Sequence, residues 1–162
     1  MNIRISRILF PTDFSEPARQ AQKYAMELAD RFQSELHLIH IVPEVYMPLP
    51  DASTSWTMPV TNLQADVEIA SKRLQNEVNR PWADSHQIVR HVEVGNPVNA
   101  IITYAKTHEI DLIVVGTHGH TGLSHLLLGS NAEKVVRLAT CPVLTIHPKG
   151  HQFVIDDNPA NT

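Results

Sequence analysis

The sequence predicts an α/β fold: a single, doubly wound domain with a five-stranded parallel sheet and helices on both faces. Three observations predict it. Five short apolar runs alternate with four segments whose apolar residues recur at helical spacing, the pattern of parallel βαβ units. The first run ends in Pro11-Thr12-Asp13 and the fourth in Val115-Gly116. In such sheets ligands sit at the carboxyl ends of strands, where strand order reverses. The chain has 162 residues, 43% apolar and 19% charged, which suits one domain with a real core.

Arg7-Ile8-Leu9-Phe10 is strand one, stopped by Pro11. Asp13 and Glu16 have capping-box spacing, so Asp13 is the expected N-cap of helix one. Pro17 suits a first helical turn. Ala21, Tyr24, Ala25, Leu28, Ala29 and Phe32 continue the helix to Phe32. Strand two is Glu35 to Val42. The segment 43–61 carries Pro43, Pro48, Pro50 and Pro59 and is too long for an ordinary βα connection, so it reads as a functional or disordered loop. A polar helix is expected from Asn62 to Asn79, then strand three from Gln87 to Val92. In Gly95-Asn96-Pro97, Asn96 is a cap and Pro97 a first helical residue. Val98, Ile101, Ile102 and Ala105 line the next helix. Asp111 to Val115 is strand four, Ala132, Val135, Val136 and Ala139 line the last helix, and Pro142 to Ile146 is strand five. The domain is expected to cover 1–147, with a polar tail at 148–162.

Gly116-Thr117-His118-Gly119 follows strand four, and nine residues later Gly129-Ser130 opens the last helix. Backbone N–H groups at such turns and helix N-termini attract anions. Glycine there lets the backbone approach a phosphate and adopt positive φ. The spacing is neither a Walker A motif nor a dinucleotide fingerprint, so it points to a phosphate site of another kind.

The formal net charge of −4 and the lack of a basic stripe argue against nucleic-acid binding. The one cysteine, Cys141, excludes an intrachain disulfide and fits a reducing, cytoplasmic setting. The N-terminal residues lead into a strand too short for a signal peptide's apolar region. No apolar run approaches the roughly 20 residues of a membrane span.

Together these segments resemble the universal stress protein family, in its ATP-binding form. Ile8-Leu9-Phe10-Pro11-Thr12-Asp13-Phe14-Ser15, Leu38-Ile39-His40-Ile41, Gly95-Asn96-Pro97, Asp111 through Gly119, and Gly129-Ser130 through Leu144 carry the resemblance, which covers about residues 5–147. It implies strand order 3-2-1-4-5 and a homodimer through the last strand. It also implies that Asp13, at the end of Pro11-Thr12-Asp13, contacts adenine, with the main chain of Ile41. The turn from Val115 through Gly116, His118 and Gly119 would lie by the ribose and phosphates, and Gly129, Ser130 and Asn131 would bind phosphates. Family members lacking the glycine pattern generally do not bind ATP, and here it is complete. Asn131 stands where a small apolar residue or Thr is common, and His120 where a cation often occurs.

Each residue also has a plainer reading. The glycines and Ser130 suit turns and a cap. Asp13 can cap a helix, accept from an adenine amino group, or ligate Mg2+. His118, His120 and His125 could bind a metal, but no Cys, Asp or Glu lies among them, and no metal site is expected. His37 and His40 are expected to share one face of strand two as satisfied structural histidines. Cys141 reads as a small buried hydrophobe, and Lys134 as a flank or surface lysine rather than a catalytic one. Tyr46, Met47, Trp56 and Met58 suit either a lid or a loop tucked on the surface. Phe153-Val154-Ile155 suits a frayed tail or a partner contact.

The resulting expectation is an ATP-binding regulatory or stress-response module, whose ligand acts by favouring one conformation. Its protein partner is not readable. The alternative is a slow ATPase, or an enzyme phosphorylating itself at Ser130 or Thr121. No clear base, Walker lysine or arginine accompanies the glycine loop, as efficient phosphoryl transfer requires. A third reading has ATP as a permanent structural ligand.

Overall fold

The computed structural model describes residues 3–44, 46–48, 57–59, 62–117 and 129–147. Strand β1 (Arg7–Pro11) leads to α1 (Glu16–Phe32) and β2 (Glu35–Val42). Two short strands, β3 (Tyr46–Pro48) and β4 (Thr57–Pro59), precede α2 (Leu63–Asn76), α3 (Arg80–Ala83) and β5 (Ile88–Val94). Helix α4 (Pro97–Thr107), β6 (Leu112–Gly116), α5 (Ser130–Leu138) and β7 (Val143–Ile146) complete the order. The main sheet runs β5-β2-β1-β6-β7 with every pairing parallel. Counting only its five strands, that is the expected order 3-2-1-4-5. From β1 the chain winds to one side through β2 and β5, then returns to β6 and winds to the other. The switch point therefore lies between β1 and β6, where Ile8 pairs with Leu112 and Leu9 with Ile113.

Alternation along the strands divides the core. Ile8, Phe10, Leu36, Leu38, Leu112 and Val114 pack on Ala18, Ala21, Ala25 and Leu74 of α1 and α2. Leu9, Ile39, Ile41, Ile113 and Val115 pack on Val98, Ile101, Tyr104, Ala132 and Val135 of α4 and α5. Side chains of successive strand residues point to opposite faces, so a central strand is apolar throughout. Fully burying Ile8, Leu9 and Phe10 contributes about 1.5–3 kcal/mol each. At the opposite end of the switch point, the Asp111 carboxylate accepts from the N–H groups of Ser6 (2.6 Å) and Arg7 (3.0 Å), tying the starts of β1 and β6.

Several expectations are corrected. Asp13 is not the cap of α1. Ser15 is, its hydroxyl accepting from Ala18 N at 3.3 Å. Asp13 Oδ1 is instead used by the N–H of Ser15 at 3.0 Å, because Phe14 takes a left-handed conformation (φ 62°) that turns the chain before the helix starts. The polar helix ends at Asn76, and Asn79 caps the separate α3 by accepting from Trp82 N at 3.0 Å. Within 43–61, β3 and β4 pair antiparallel, Met47 opposite Met58. Trp56 lies outside the described residues. So do His118, Gly119, His120, Thr121 and His125, and the tail with Phe153-Val154-Ile155.

His37 and His40 do not share a face. They are three residues apart, an odd step that places them on opposite sides of the sheet. His37 turns towards α4, where its Nδ1 is 3.0 Å from Tyr104 Oη, and its Nε2 is 3.2 Å from Glu35 Oε2. A carboxylate only accepts, so Nε2–H donates to Glu35 and Nδ1 accepts from the tyrosine hydroxyl. His40 turns towards α1, its ring centroid 4.5 Å from that of Phe14.

Among the described glycines only Gly95 has positive φ, 135°, and Gly129 has φ −63°. Gly116 ends β6, and a Cβ there would stand 3.0 Å from the carbonyl oxygen of Pro17 and 3.6 Å from the Cα of Ala18. Close passage of α1 accounts for this glycine.

Two outcomes follow. Burial pushes the His37 imidazole below its ordinary value of 6.5, with His108 and Arg7 acting in the same sense and the Glu35 hydrogen bond opposing. The unfolded chain therefore takes up a proton that the folded one refuses. The stability due to neutral His37 is present above pH about 6.5 and is lost as pH falls through the lower folded value. His37→Gln is expected to flatten the dependence of the urea midpoint on pH between about 7 and 5, and an unchanged slope would refute this assignment. Gly116→Ala should lower stability by about 1–3 kcal/mol through overpacking against the Pro17 carbonyl, read from urea unfolding. A neutral effect would show that α1 gives way easily there.

Candidate functional site

A cleft of about 300 Å³ opens at the carboxyl ends of β1 and β6. Pro11, Thr12 and Asp13 line it from β1, His40 and Ile41 from β2, and Val115, Gly116 and Thr117 from β6. Gly129, Ser130 and Asn131 close it from the start of α5. Every described residue among those expected at a nucleotide site thus borders this one cavity. His118 and Gly119 lie outside the described residues.

The lip at Thr12–Ser15 is built by local hydrogen bonds. Thr12 N donates to Ile39 O at 2.9 Å, extending the β1–β2 ladder one residue past Pro11. The Thr12 hydroxyl is buried and accepts from Phe14 N at 3.0 Å. Left-handed backbone at a bulky residue costs on the order of 1–3 kcal/mol and persists only when its surroundings impose it. Here the imposing groups are Thr12 Oγ1, the His40 ring, and the Arg73 guanidinium of α2, whose carbon lies 4.3 Å from the Phe14 ring centroid. His40 Nδ1 lies 2.8 Å from Thr12 O, and since a carbonyl only accepts, Nδ1–H donates.

The other wall is the first turn of α5. Helices α1 to α4 each have a side-chain cap, from Ser15, Asn62, Asn79 and Asn96. Helix α5 starts at Gly129, which offers no side-chain hydrogen bond, so its leading N–H groups have no such acceptor. Ser130 and Asn131 are exposed there. Glu133, in the same turn, would repel an anion, but Arg137 Nη2 pairs with it at 2.9 Å. Gly129 N donates to Thr117 O, joining the two ends of segment 118–128 across the cleft's edge.

This arrangement offers backbone donors and a positive helix end at one wall, and a carboxylate and carbonyls at the other. It suits a molecule with an anionic end and a hydrogen-bonding head. Among the described residues no cluster of three metal-ligating side chains is present, and no helix is long and apolar enough to cross a membrane. Lys134 is exposed on α5. Cys141 is half-buried beside the α4–α5 core, and burial pushes its thiol up, away from the reactive thiolate. The sequence reading missed His40, Thr117 and the apolar floor of Ile101 and Val135. The strand periodicity, read correctly, would have turned His40 away from His37 and towards the lip.

Comparison with known proteins agrees with the fold. Residues 4–147 match the model of the universal stress protein family. The chain is 36% identical over 143 residues to universal stress protein MJ0531 of Methanocaldococcus jannaschii, covering 86% of this chain and 81% of that protein. Among solved structures it resembles universal stress protein UspA from Lactobacillus plantarum, with a TM-score of 0.74 and 30% identity over 90% of this chain and 99% of that one. It shares the fold of a universal stress protein from Archaeoglobus fulgidus in complex with dAMP, with a TM-score of 0.58 and 18% identity over 89% and 98% of the two chains. The chain belongs to the universal stress protein family.

Proposed function

We propose that this protein binds ATP in the cleft between β1 and β6 and acts as a nucleotide-dependent regulatory or stress-response module. The observation that carries the reading is the meeting of the Asp13 lip with the uncapped start of α5 in one cavity. The neighbouring A. fulgidus structure holds dAMP, so the fold accommodates an adenine nucleotide.

The donor set fits the ligand. In this reading the Asp13 carboxylate, with main-chain groups of Ile41, receives the adenine. Pro11, Thr12, Val115 and Gly116 border the ribose. The N–H groups of Gly129, Ser130 and Asn131 hold the phosphates, and the exposed Asn131 amide adds a donor. His118 and Gly119 are assigned to the same turn from the family resemblance alone. Mg2+ would take its ligands from the phosphates. ATP supplies binding free energy that favours one conformer over another, and the chain between 43 and 61 is the segment assigned to respond. The proposal includes a nucleotide-binding domain over 1–147, a tail at 148–162, a cytoplasmic setting and a homodimer through the open edge of β7.

Protein purified without added nucleotide and then denatured should release ATP, or should gain thermal stability when ATP is titrated. At a concentration 100 times Kd the gain is about 2.7 kcal/mol. Release of ADP or AMP would instead favour hydrolysis or a sensor of low energy charge. No bound nucleotide and no stabilisation by any adenine nucleotide would refute the reading. Asp13→Ala should weaken adenine nucleotides at least tenfold, about 1.4 kcal/mol, while leaving inorganic triphosphate within twofold. Equal losses would assign Asp13 to a metal or to folding.

A further inference from the structure

Arg73 lies on the exposed side of α2, outside the cleft lining, yet it touches the structure that forms the cleft's lip. Its guanidinium covers the Phe14 ring at 4.3 Å, the Phe14 ring also meets His40 at 4.5 Å, and His40 Nδ1–H reaches Thr12 O at 2.8 Å. Thr12, Asp13 and His40 all line the cavity. The chain of contacts thus runs from α2 to the cleft without a gap. Phe14 is the link that needs support, because its left-handed backbone (φ 62°) is imposed by its neighbours. The electrostatic surroundings on the α2 side reinforce the placement. Glu77 has a buried carboxylate oxygen without a hydrogen-bond partner, and its charged neighbours are Arg19, Arg73 and Asp13.

Resting on the nucleotide-binding reading above, we propose that Arg73 is a positioning residue which, by clamping Phe14 from α2, holds the Asp13 lip in the conformation that receives the base. Arg73 touches no part of the ligand in this scheme. It sets the population of the binding-competent lip, and apparent affinity scales with that population. Since α2 directly follows segment 43–61, a partner that moved α2 would alter nucleotide affinity through the same contact.

The test compares full-length wild type, Arg73→Leu, Arg73→Lys, Phe14→Leu and the Arg73→Leu/Phe14→Leu double variant. Calorimetric titration with ATP and with inorganic tripolyphosphate gives the affinities, and thermal unfolding checks the fold. Arg73→Leu is expected to weaken ATP binding five- to tenfold, leave tripolyphosphate within twofold, and keep the melting temperature. Arg73→Lys, which keeps a cation over the ring, should recover most of the affinity. In the Phe14→Leu background Arg73→Leu should add nothing, since the two act through one contact. Unchanged ATP affinity in Arg73→Leu, equal loss of both ligands, or additive effects in the double variant would each overturn the proposal. Wild type that binds no adenine nucleotide would overturn the functional reading, and the proposal with it. Wild type that binds ATP while every variant binds it as tightly as wild type does would overturn the proposal only.

Discussion

The fold depends on a close approach between the first turn of α1 and the end of β6. Gly116 leaves room for the Pro17 carbonyl where any side chain would press against it at 3.0 Å. That contact sets how near the β1–α1 connection lies to the β6 terminus, and so how wide the cleft between them is. Asp111 fixes the opposite end of the same strand pair through two main-chain N–H groups. The switch point is therefore held at both ends by groups with little freedom: a backbone carbonyl above and a carboxylate below. Glycine at 116 serves the cleft indirectly, by letting the protein close upon itself.

The two faces of β2 carry different burdens. On the α4 side, His37 is sealed between Tyr104 and Glu35, and its neutral form satisfies both partners. A buried polar group satisfied at both ring nitrogens favours this packing over ones that would leave a nitrogen unpaired. On the α1 side, His40 is half-buried at the cleft, bonded to the main chain of the lip. One strand thus supplies a fixed internal anchor and a group that borders the cleft, three positions apart.

Much of this was legible from sequence, because the signals were local. Apolar runs of four to eight residues marked the five sheet strands, and Asn96-Pro97 and Gly129-Ser130 marked helix starts. The expected site residues came from strand ends and a helix start, places fixed by topology once the parallel sheet is granted. The failures have physical causes. Asp13 had the right spacing for a cap, but the turn at Phe14 is imposed by tertiary contacts with His40 and Arg73, which no local pattern carries. The break at Asn76 was hidden because polar residues on both sides fit one helical pattern. The β3–β4 pairing was masked by Pro48 and Pro59, which stand at strand ends where the missing N–H is tolerated. His40 was misplaced by a parity error, and parity alone decides its face.

The caps also bear on ligand orientation. Helices α1 and α5 both begin at the cleft, and either N-terminus has the polarity to attract an anion. At α1 the first turn is already served: Ser15 Oγ accepts from Ala18 N, Asp13 Oδ1 accepts from Ser15 N, and a carboxylate stands at its entrance. A phosphate there would meet like charge and occupied donors. At α5 the cap is glycine, the entrance is exposed, and the first-turn carboxylate of Glu133 is paired with Arg137. In the proposed complex the phosphates therefore belong at α5 and the base at the Asp13 lip. Under the proposed function the same asymmetry would shape how the ligand is controlled. The phosphate end in that complex is the glycine-capped start of α5. The base end is the left-handed turn at Phe14, covered by Arg73 of α2, so in the proposed complex a change at α2 would reach the ligand through its base.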